Sequence, residues 1–253
     1  MQLNATAAIV TGGASGLGAA TAASLAAKGA TVYALDLASS IEKASEVAGV
    51  HYLAVDVTDV EQVREAVAAA ANTGAPLRTV VNCAGIGTAG RILGKDGTVG
   101  DLAHFGRVLQ VNLIGTWNVL ALGAEAIAAT PELEHGARGV IINTASVAAF
   151  EGQIGQEAYA ASKGGVVGLN LPAARDLAQF GIRVNTIAPG IVETPMLAGV
   201  TEEFQKTLAA GVPFPKRLAR ADEYAQLAAF IAEHDYINGE VIRMDGALRM
   251  APR

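Results

Sequence analysis

Short runs of β-branched and aliphatic residues alternate along this chain with Ala-rich stretches in which apolar positions recur at helical spacing. Residues 5–11 (ATAAIVT) precede a helical pattern from Gly16 to Lys28, residues 31–36 (TVYALD) precede a second helical stretch, and residues 53–57 (LAVDV) precede a helix from Val60 to Ala71. The alternation continues through 77–82 (LRTVVN), the long stretch Asp101 to Ala128, 139–145 (GVIINTA), the helix Ala158 to Phe180, 182–188 (IRVNTIA) and 239–245 (GEVIRMD). Apolar strands repeatedly followed by helices predict a parallel sheet buried on both faces, with right-handed crossovers placing helices on each side. The expectation is one α/β domain over 1–253, a doubly wound parallel sheet of about seven strands. Two segments break the rhythm, Gly-rich Ile86 to Gly100 and Pro-rich, apolar Pro189 to Arg220, and irregular stretches this long are usually functional.

Composition narrows the class. Apolar residues make up 51% and charged residues 17% of the 253 positions, which excludes disorder and leaves enough apolar surface to expect a homo-oligomer. A net charge of −6 argues against nucleic acid as a partner, since that affinity comes from clustered Lys and Arg. The four His are scattered, so no metal site is expected. A lone Cys83 cannot form an internal disulfide and nothing near Met1 reads as a signal or transit peptide, which together favour a reducing cytoplasm. The uncharged run Val108 to Ala124 contains Gln110, Asn112 and Asn118 and falls short of a membrane crossing, so a buried helix is expected there.

After the first strand, Thr11-Gly12-Gly13-Ala14-Ser15-Gly16-Leu17-Gly18 opens directly into a helix. Glycines allow a tight turn and close approach of backbone to a pyrophosphate, which then lies at the positive end of the helix dipole. An ordinary strand-to-helix turn can show the same glycines, but Asp36 ends the second strand about 20 residues on, where a carboxylate can accept from both adenosine ribose hydroxyls. Its charge would repel the extra phosphate of NADP, and no Arg or Lys is its sequence neighbour, so the expected cofactor is NAD. Asp56 and Val57, at the end of the third strand, are placed for the adenine, and Cys83, Ala84 and Gly85 offer small residues where a cofactor must pass. Cys83 reads as a small core residue rather than a reactive thiol.

Tyr159 and Lys163 lie four apart on a helix and so share one face, while Ser146 follows the fifth strand at the carboxyl edge where ligands of such sheets bind. Oxidising an alcohol requires removal of its hydroxyl proton as hydride leaves carbon, and a free phenol is only about 0.1% ionised at neutral pH. A neighbouring ammonium favours the phenolate, so Lys163 is expected to lower the pKa of Tyr159 while Ser146 holds the substrate oxygen. A serine hydrolase is the competing reading of Ser146, but no G-x-S-x-G turn surrounds it. A non-enzymatic NAD-binding scaffold would have no use for a phenol coupled to a charge.

These residues in this order resemble the short-chain dehydrogenase/reductase superfamily over essentially the whole chain, through TGGASGLG, Asp36, NCAG, Asn112, Ser146, YAASK and Pro189-Gly190. The resemblance implies a Rossmann-like domain in which Asn112 joins Ser146, Tyr159 and Lys163 as a fourth catalytic member holding a relay water. It also implies that Lys163 contacts the nicotinamide ribose, and that Pro189, Gly190, Ile191, Val192 and Thr194 meet the nicotinamide end of NAD. Cys83 stands where the commoner NNAG pattern has a second Asn. Residues 138–165, 212–218 and 237–250 are similar more closely to the type 2 3-hydroxyacyl-CoA dehydrogenases of that superfamily, as is the placement of the insertion 86–100. That likeness implies a homotetramer acting in fatty acid metabolism on an acyl-CoA thioester, with a hydroxysteroid or general secondary alcohol dehydrogenase as the alternative. Met196, Leu197, Val200, Phe204 and Leu208 within 190–220 form a candidate substrate lid, although an ordinary amphipathic helix shows the same spacing. Arg91, Lys95 and Arg217 are candidates for the phosphates of CoA.

Overall fold

The computed structural model describes residues 1–87, 89–197 and 201–252, apart from the side chains of Met196, Glu202 and Phe204. In chain order the main elements are β1 (Ala7–Thr11), α1 (Gly16–Ala27), β2 (Thr31–Asp36), α2 (Ala38–Ile41), β3 (Val50–Ala54), α3 (Val60–Ala71), β4 (Leu77–Asn82), α4 (Leu102–Leu109), α5 (Thr116–Ala128), β5 (Gly139–Thr144) and α6 (Glu157–Leu177). They continue as β6 (Ile182–Pro189), β7 (Val192–Glu193), α7 (Glu202–Ala210), β8 (Ala219–Arg220), α8 (Ala221–Glu233) and β9 (Val241–Met244). Seven strands form one parallel sheet in the order β3-β2-β1-β4-β5-β6-β9, as expected for the doubly wound fold, and β7 pairs with β8 in a small separate ribbon.

Alternation along each strand divides the core into two layers. Ile9, Val80 and Ile141 pack toward α3, α5 and α6, whereas Ala8, Val10, Val81, Val140 and Ile142 pack toward α1 and α8. Every residue of β4, β5 and β6 is buried, so their backbone groups must be satisfied by the ladder until the strands end. α3 and α4 start where Asp59 and Asp101 accept hydrogen bonds from the next free backbone amides.

Two expectations are corrected and a third is refined. The third strand is Val50–Ala54 rather than 53–57, so Asp56 and Val57 lie beyond its end in the following turn, where Thr58 donates to the Asp56 carboxylate. The second helical stretch shrinks to the single turn α2. The run Asp101 to Ala128 is helical but not uniform, since a π-helical turn at Gln110–Gly115 joins α4 to α5. Leu102–Ala128 is long and apolar enough to cross a membrane by length and composition, yet Val108, Asn112, Val119, Leu120 and Ile127 are buried within the fold. The expected buried helix is what forms. Insertion 86–100 folds back on itself through an antiparallel bridge between Leu93 and Val99.

The far edge of the sheet is fastened by one buried cation. Arg183 on β6 donates to the carbonyls of Ile231 (3.0 Å), Ala232 (2.9 Å) and Ile237 (2.8 Å), which satisfies the carboxyl end of α8. Arg183→Met should take this donor from the Ile231 and Ala232 carbonyls, while Ile237 keeps its bond from Asn185 Nδ2, and cost about 3 kcal/mol. Thermal melting checks this, with Tm expected to fall by roughly 6–12 °C.

Candidate active site

One cleft of about 820 Å³ opens at the carboxyl edge of the sheet, and every residue expected to hold the cofactor lines it. At one end lie the glycine turn, Asp36, Asp56 and Val57, and at the other Ser146, Tyr159, Lys163 and the segment from Pro189 to Thr194.

The glycine turn is as tight as its composition suggests. Gly12 and Gly16 have φ of 64° and 52°, and a Cβ on Gly18 would lie 2.1 Å from the Gly12 carbonyl oxygen. α1 therefore begins directly against the end of β1, with its Ser15 cap making no side-chain bond and no acidic residue in its first turn. That leaves a helix N-terminus facing the cleft whose positive dipole end nothing in the turn neutralises. Asp36 braces the same turn: its carboxylate accepts from the amides of Ala14 (3.0 Å) and Leu37 (2.8 Å). Thr194 closes the loop from the opposite side, about 3.4 Å from where a Gly16 Cβ would lie.

At the other end Ser146 follows β5, and α6 carries Tyr159 and Lys163. Lys163 is buried and donates to the Thr144 carbonyl at 2.8 Å, with its ammonium 5.8 Å from the Tyr159 ring centre. Burial lowers its pKa to about 8. The expected lowering of Tyr159 by this ammonium is not what the geometry gives: burial raises the phenol, and the Ser146 hydroxyl beside it only partly opposes that. The Lys163 ammonium bonds to the Thr144 carbonyl and also lies over the Tyr159 ring.

Of the expected catalytic and cofactor-binding residues, Asn112 alone does not line the cleft. It sits in the π-helical turn, where its amide oxygen accepts from the Ile86 amide (2.8 Å) and its nitrogen donates to the Ile86 carbonyl (3.0 Å) and to Ser162 Oγ (3.1 Å). Ser162 in turn donates to the Tyr159 carbonyl at 2.8 Å. Asn112 thus ties the chain after β4 to the turn of α6 that carries Tyr159 and Lys163.

Several contributors were not singled out from the sequence. Thr11 Oγ1 accepts from the amides of both Cys83 and Ala84 at 3.1 Å, pinning the NCAG turn to the end of β1. Tyr224 reaches from α8 to Thr144 Oγ1 (2.6 Å) and Cys83 Sγ (3.7 Å), a buried polar cluster behind Lys163. Burial raises both the Cys83 thiol and the Tyr224 phenol, so both stay neutral. Met250 and Gln156 also line the cleft. The end of a strand is a readable place for Thr11, but the partners on α8 and the tail come from far along the chain and left no local signal. In the lid candidate, Leu197 lines the cleft, while Val200 and the side chains of Met196 and Phe204 lie outside the described residues. Arg217 does not line the cleft and is paired with Glu223 through two bonds of 2.8 and 2.7 Å.

A family model for short chain dehydrogenase matches residues 6–205. The chain is 50% identical to 3-hydroxyacyl-CoA dehydrogenase type-2 of Drosophila melanogaster, over 96% of this chain and 97% of that protein. It is also 50% identical to the protein of the same name from Homo sapiens, over 97% and 95%. A crystal structure of 3-hydroxyacyl-CoA dehydrogenase type-2 from Mycobacterium avium superposes with a TM-score of 0.92 at 45% identity, covering 98% of each chain. With the cleft, its glycine turn and its Ser, Tyr and Lys in the arrangement described, the chain belongs to the short-chain dehydrogenase family of oxidoreductases.

Proposed function

We propose that this protein is an NAD-dependent dehydrogenase that interconverts the 3-hydroxy and 3-keto forms of an acyl-CoA thioester. The observation that carries the reading is the meeting of Ser146, Tyr159 and Lys163 with the glycine turn and Asp36 in one cleft. The names of the relatives at 50% identity support the substrate class.

The cleft fits a dinucleotide where a Cβ on Gly18 would collide with Gly12, because that close approach leaves backbone amides facing the cleft instead of side chains. Gly12, Ser15, Gly16, Leu17 and Gly18 would hold the pyrophosphate, Asp36 the adenosine ribose, Asp56 and Val57 the adenine. Cys83, Ala84 and Gly85 would border its path, and Pro189, Gly190, Ile191, Val192 and Thr194 the nicotinamide end. Among the described residues lining the cleft the only cation is Lys163, at the far end from Asp36, so a second ribose phosphate would meet a carboxylate and no compensating charge. When bound, the cofactor supplies or accepts the hydride.

The chain's own residues manage the oxygen and its proton. Ser146 donates a hydrogen bond to the substrate oxygen and holds the carbonyl in place. Tyr159, kept protonated by burial, donates its proton to that oxygen as the carbonyl becomes an alcohol, and takes it back in the reverse direction. Lys163 supplies positive charge beneath the phenol and would hold the nicotinamide ribose. With its amide already bonded to Ile86 and Ser162, we assign Asn112 a positioning role on α6 in place of the relay water that the resemblance implies. The exposed Phe105 on α4, Ile114 in the π-helical turn and Trp117 on α5 offer an apolar face for the homotetramer we propose.

Tyr159→Phe should keep fold and NADH binding yet lose about 10² to 10⁴ of turnover, the usual worth of a positioned acid. A variant with near wild-type kcat would remove Tyr159 from this role. In the wild type, kcat/KM for NADH reports ionisations of the free enzyme and should fall above about pH 8, as Lys163 loses its proton.

Measured kcat/KM should favour NADH over NADPH strongly. Asp36→Ala should narrow that ratio by roughly tenfold or more, weakening NADH and relieving the repulsion of the extra phosphate. Equal values for the two cofactors in the wild type would defeat the reading of Asp36.

Steady-state kinetics with NADH tests the substrate. Acetoacetyl-CoA should be reduced at roughly 10² times or more the kcat/KM of acetoacetate, since a remote handle supplies binding energy used at the reacting carbon. Comparable efficiency on simple ketones or steroids would overturn the thioester and leave a general secondary alcohol dehydrogenase.

A further inference from the structure

The carboxyl-terminal residues 248–252 do not trail away from the sheet but turn back across the substrate end of the cleft. Met250 is half-buried and lines the cavity that Ser146 and Tyr159 share. Its amide donates to Glu151 Oε2 (3.1 Å), Gln153 Nε2 donates to the Ala251 carbonyl (2.9 Å), and the Ile154 amide donates to the Pro252 carbonyl (3.1 Å). The tail is therefore bonded to the segment that joins Ser146 to the start of α6, and it lies far from the Asp36 end.

The strap is held by a compact group of charges. Arg243, the third residue of β9, bonds to Asp245 at 2.7 Å and to Glu151 at 2.9 Å, and donates to the Leu248 carbonyl at 3.0 Å. Arg249 reaches both carboxylates at 3.3 Å. Two Arg and two carboxylates thus pair with one another, and Arg243 holds the Glu151 carboxyl below its ordinary range. Because these charges are spent within the strap, the group that residues 248–252 present to the cleft is the thioether side chain of Met250. An apolar, deformable wall suits an alkyl substituent and does not suit the phosphates of CoA.

We propose that Met250 is a specificity-determining residue: it forms the wall that limits the alkyl group carried by the reacting carbonyl, and Glu151 positions it through the strap. The inference rests on the reading of the cleft as a ketone-reducing site. A hydrophobic pocket discriminates by about 10- to 200-fold per methylene, so shortening the wall should move the preferred chain length rather than the rate on a short substrate.

The experiment measures kcat/KM with NADH along two series, 3-ketobutanoyl-CoA to 3-ketodecanoyl-CoA and methyl ketones from butanone to decanone. Met250→Ala should raise the ratio of long to short substrate at least tenfold, Met250→Phe should lower it, and Glu151→Gln should shift it as Met250→Ala does but less. Melting temperature is recorded for each, and the opposite shifts of the Ala and Phe variants separate a wall from a general loss of folding. Profiles that coincide with wild type for both Met250 variants overturn the proposal, and an unshifted Glu151→Gln overturns the strap. Turnover of the methyl ketones without turnover of the thioesters would refute the proposed substrate while the ketone series still tests Met250.

Discussion

Burial of the parallel sheet on both faces is the constraint from which the site follows. Every residue of β4, β5 and β6 is buried, and within the sheet the ladder takes up the backbone donors and acceptors. Where the strands end, the ladder stops and side chains must take over. Thr11 receives the two amides of the NCAG turn, Asn82 donates to Asn143 at 2.9 Å across neighbouring strand ends, and Lys163 covers the Thr144 carbonyl. The cleft is thus the place where the fold's hydrogen bonding passes from backbone to side chains, and those side chains are the ones available for chemistry.

Lys163 shows what that location costs and what it provides. Among the described residues no carboxylate pairs with it, it donates a hydrogen bond to the Thr144 carbonyl, and the Cys83 thiol and Tyr224 phenol in the cluster behind it are kept neutral by the same burial. A buried ammonium with carbonyl support alone loses its proton more readily, which brings its pKa to about 8. A framework shaped by stability alone would replace such a group with an apolar one of similar volume. Its retention beneath Tyr159 is consistent with a function in handling charge at that phenol.

Much of this was legible because the determinants are local. The glycine turn, Asp36 at a strand end and the four-residue spacing of Tyr159 and Lys163 each lie within one element or one junction, where steric and periodic rules act directly. The third strand was misplaced because it is an edge strand with half-exposed residues, while Val55 and Val57, buried in the turn beyond it, supply the apolar signal that a strand was expected to give. The upward shift of Tyr159 was not readable from the sequence because helical spacing fixes which residues are neighbours, not how deeply a phenol is buried. The contacts of Thr144, Tyr224 and Met250 depend on elements brought together only by the completed sheet, as when α8 crosses over to meet the end of β5.

The same division separates chemistry from specificity. The end of the cleft that holds Ser146, Tyr159 and Lys163 is built on the turns after β4 and β5, and the opposite end on the junction of β1 with α1, all with geometry that the sheet fixes. The other wall of the cleft is assembled from separate pieces: Ile86, Gly87 and Ala89 of the insertion, Gln156 before α6, the loop after β6 and Met250 of the tail. Gly90 donates to the Gly155 carbonyl at 2.8 Å and Ile154 to Pro252 at 3.1 Å, so these pieces are joined through side chains and loop backbone rather than through the ladder of the sheet. A loop contact of that kind can change without disturbing the sheet, whereas a Cβ at Gly18 cannot be admitted without moving α1. One framework can therefore keep its proton-transfer geometry while its substrate pocket is redrawn, and in this chain the pocket is a property of the loops and the tail that the sheet does not dictate.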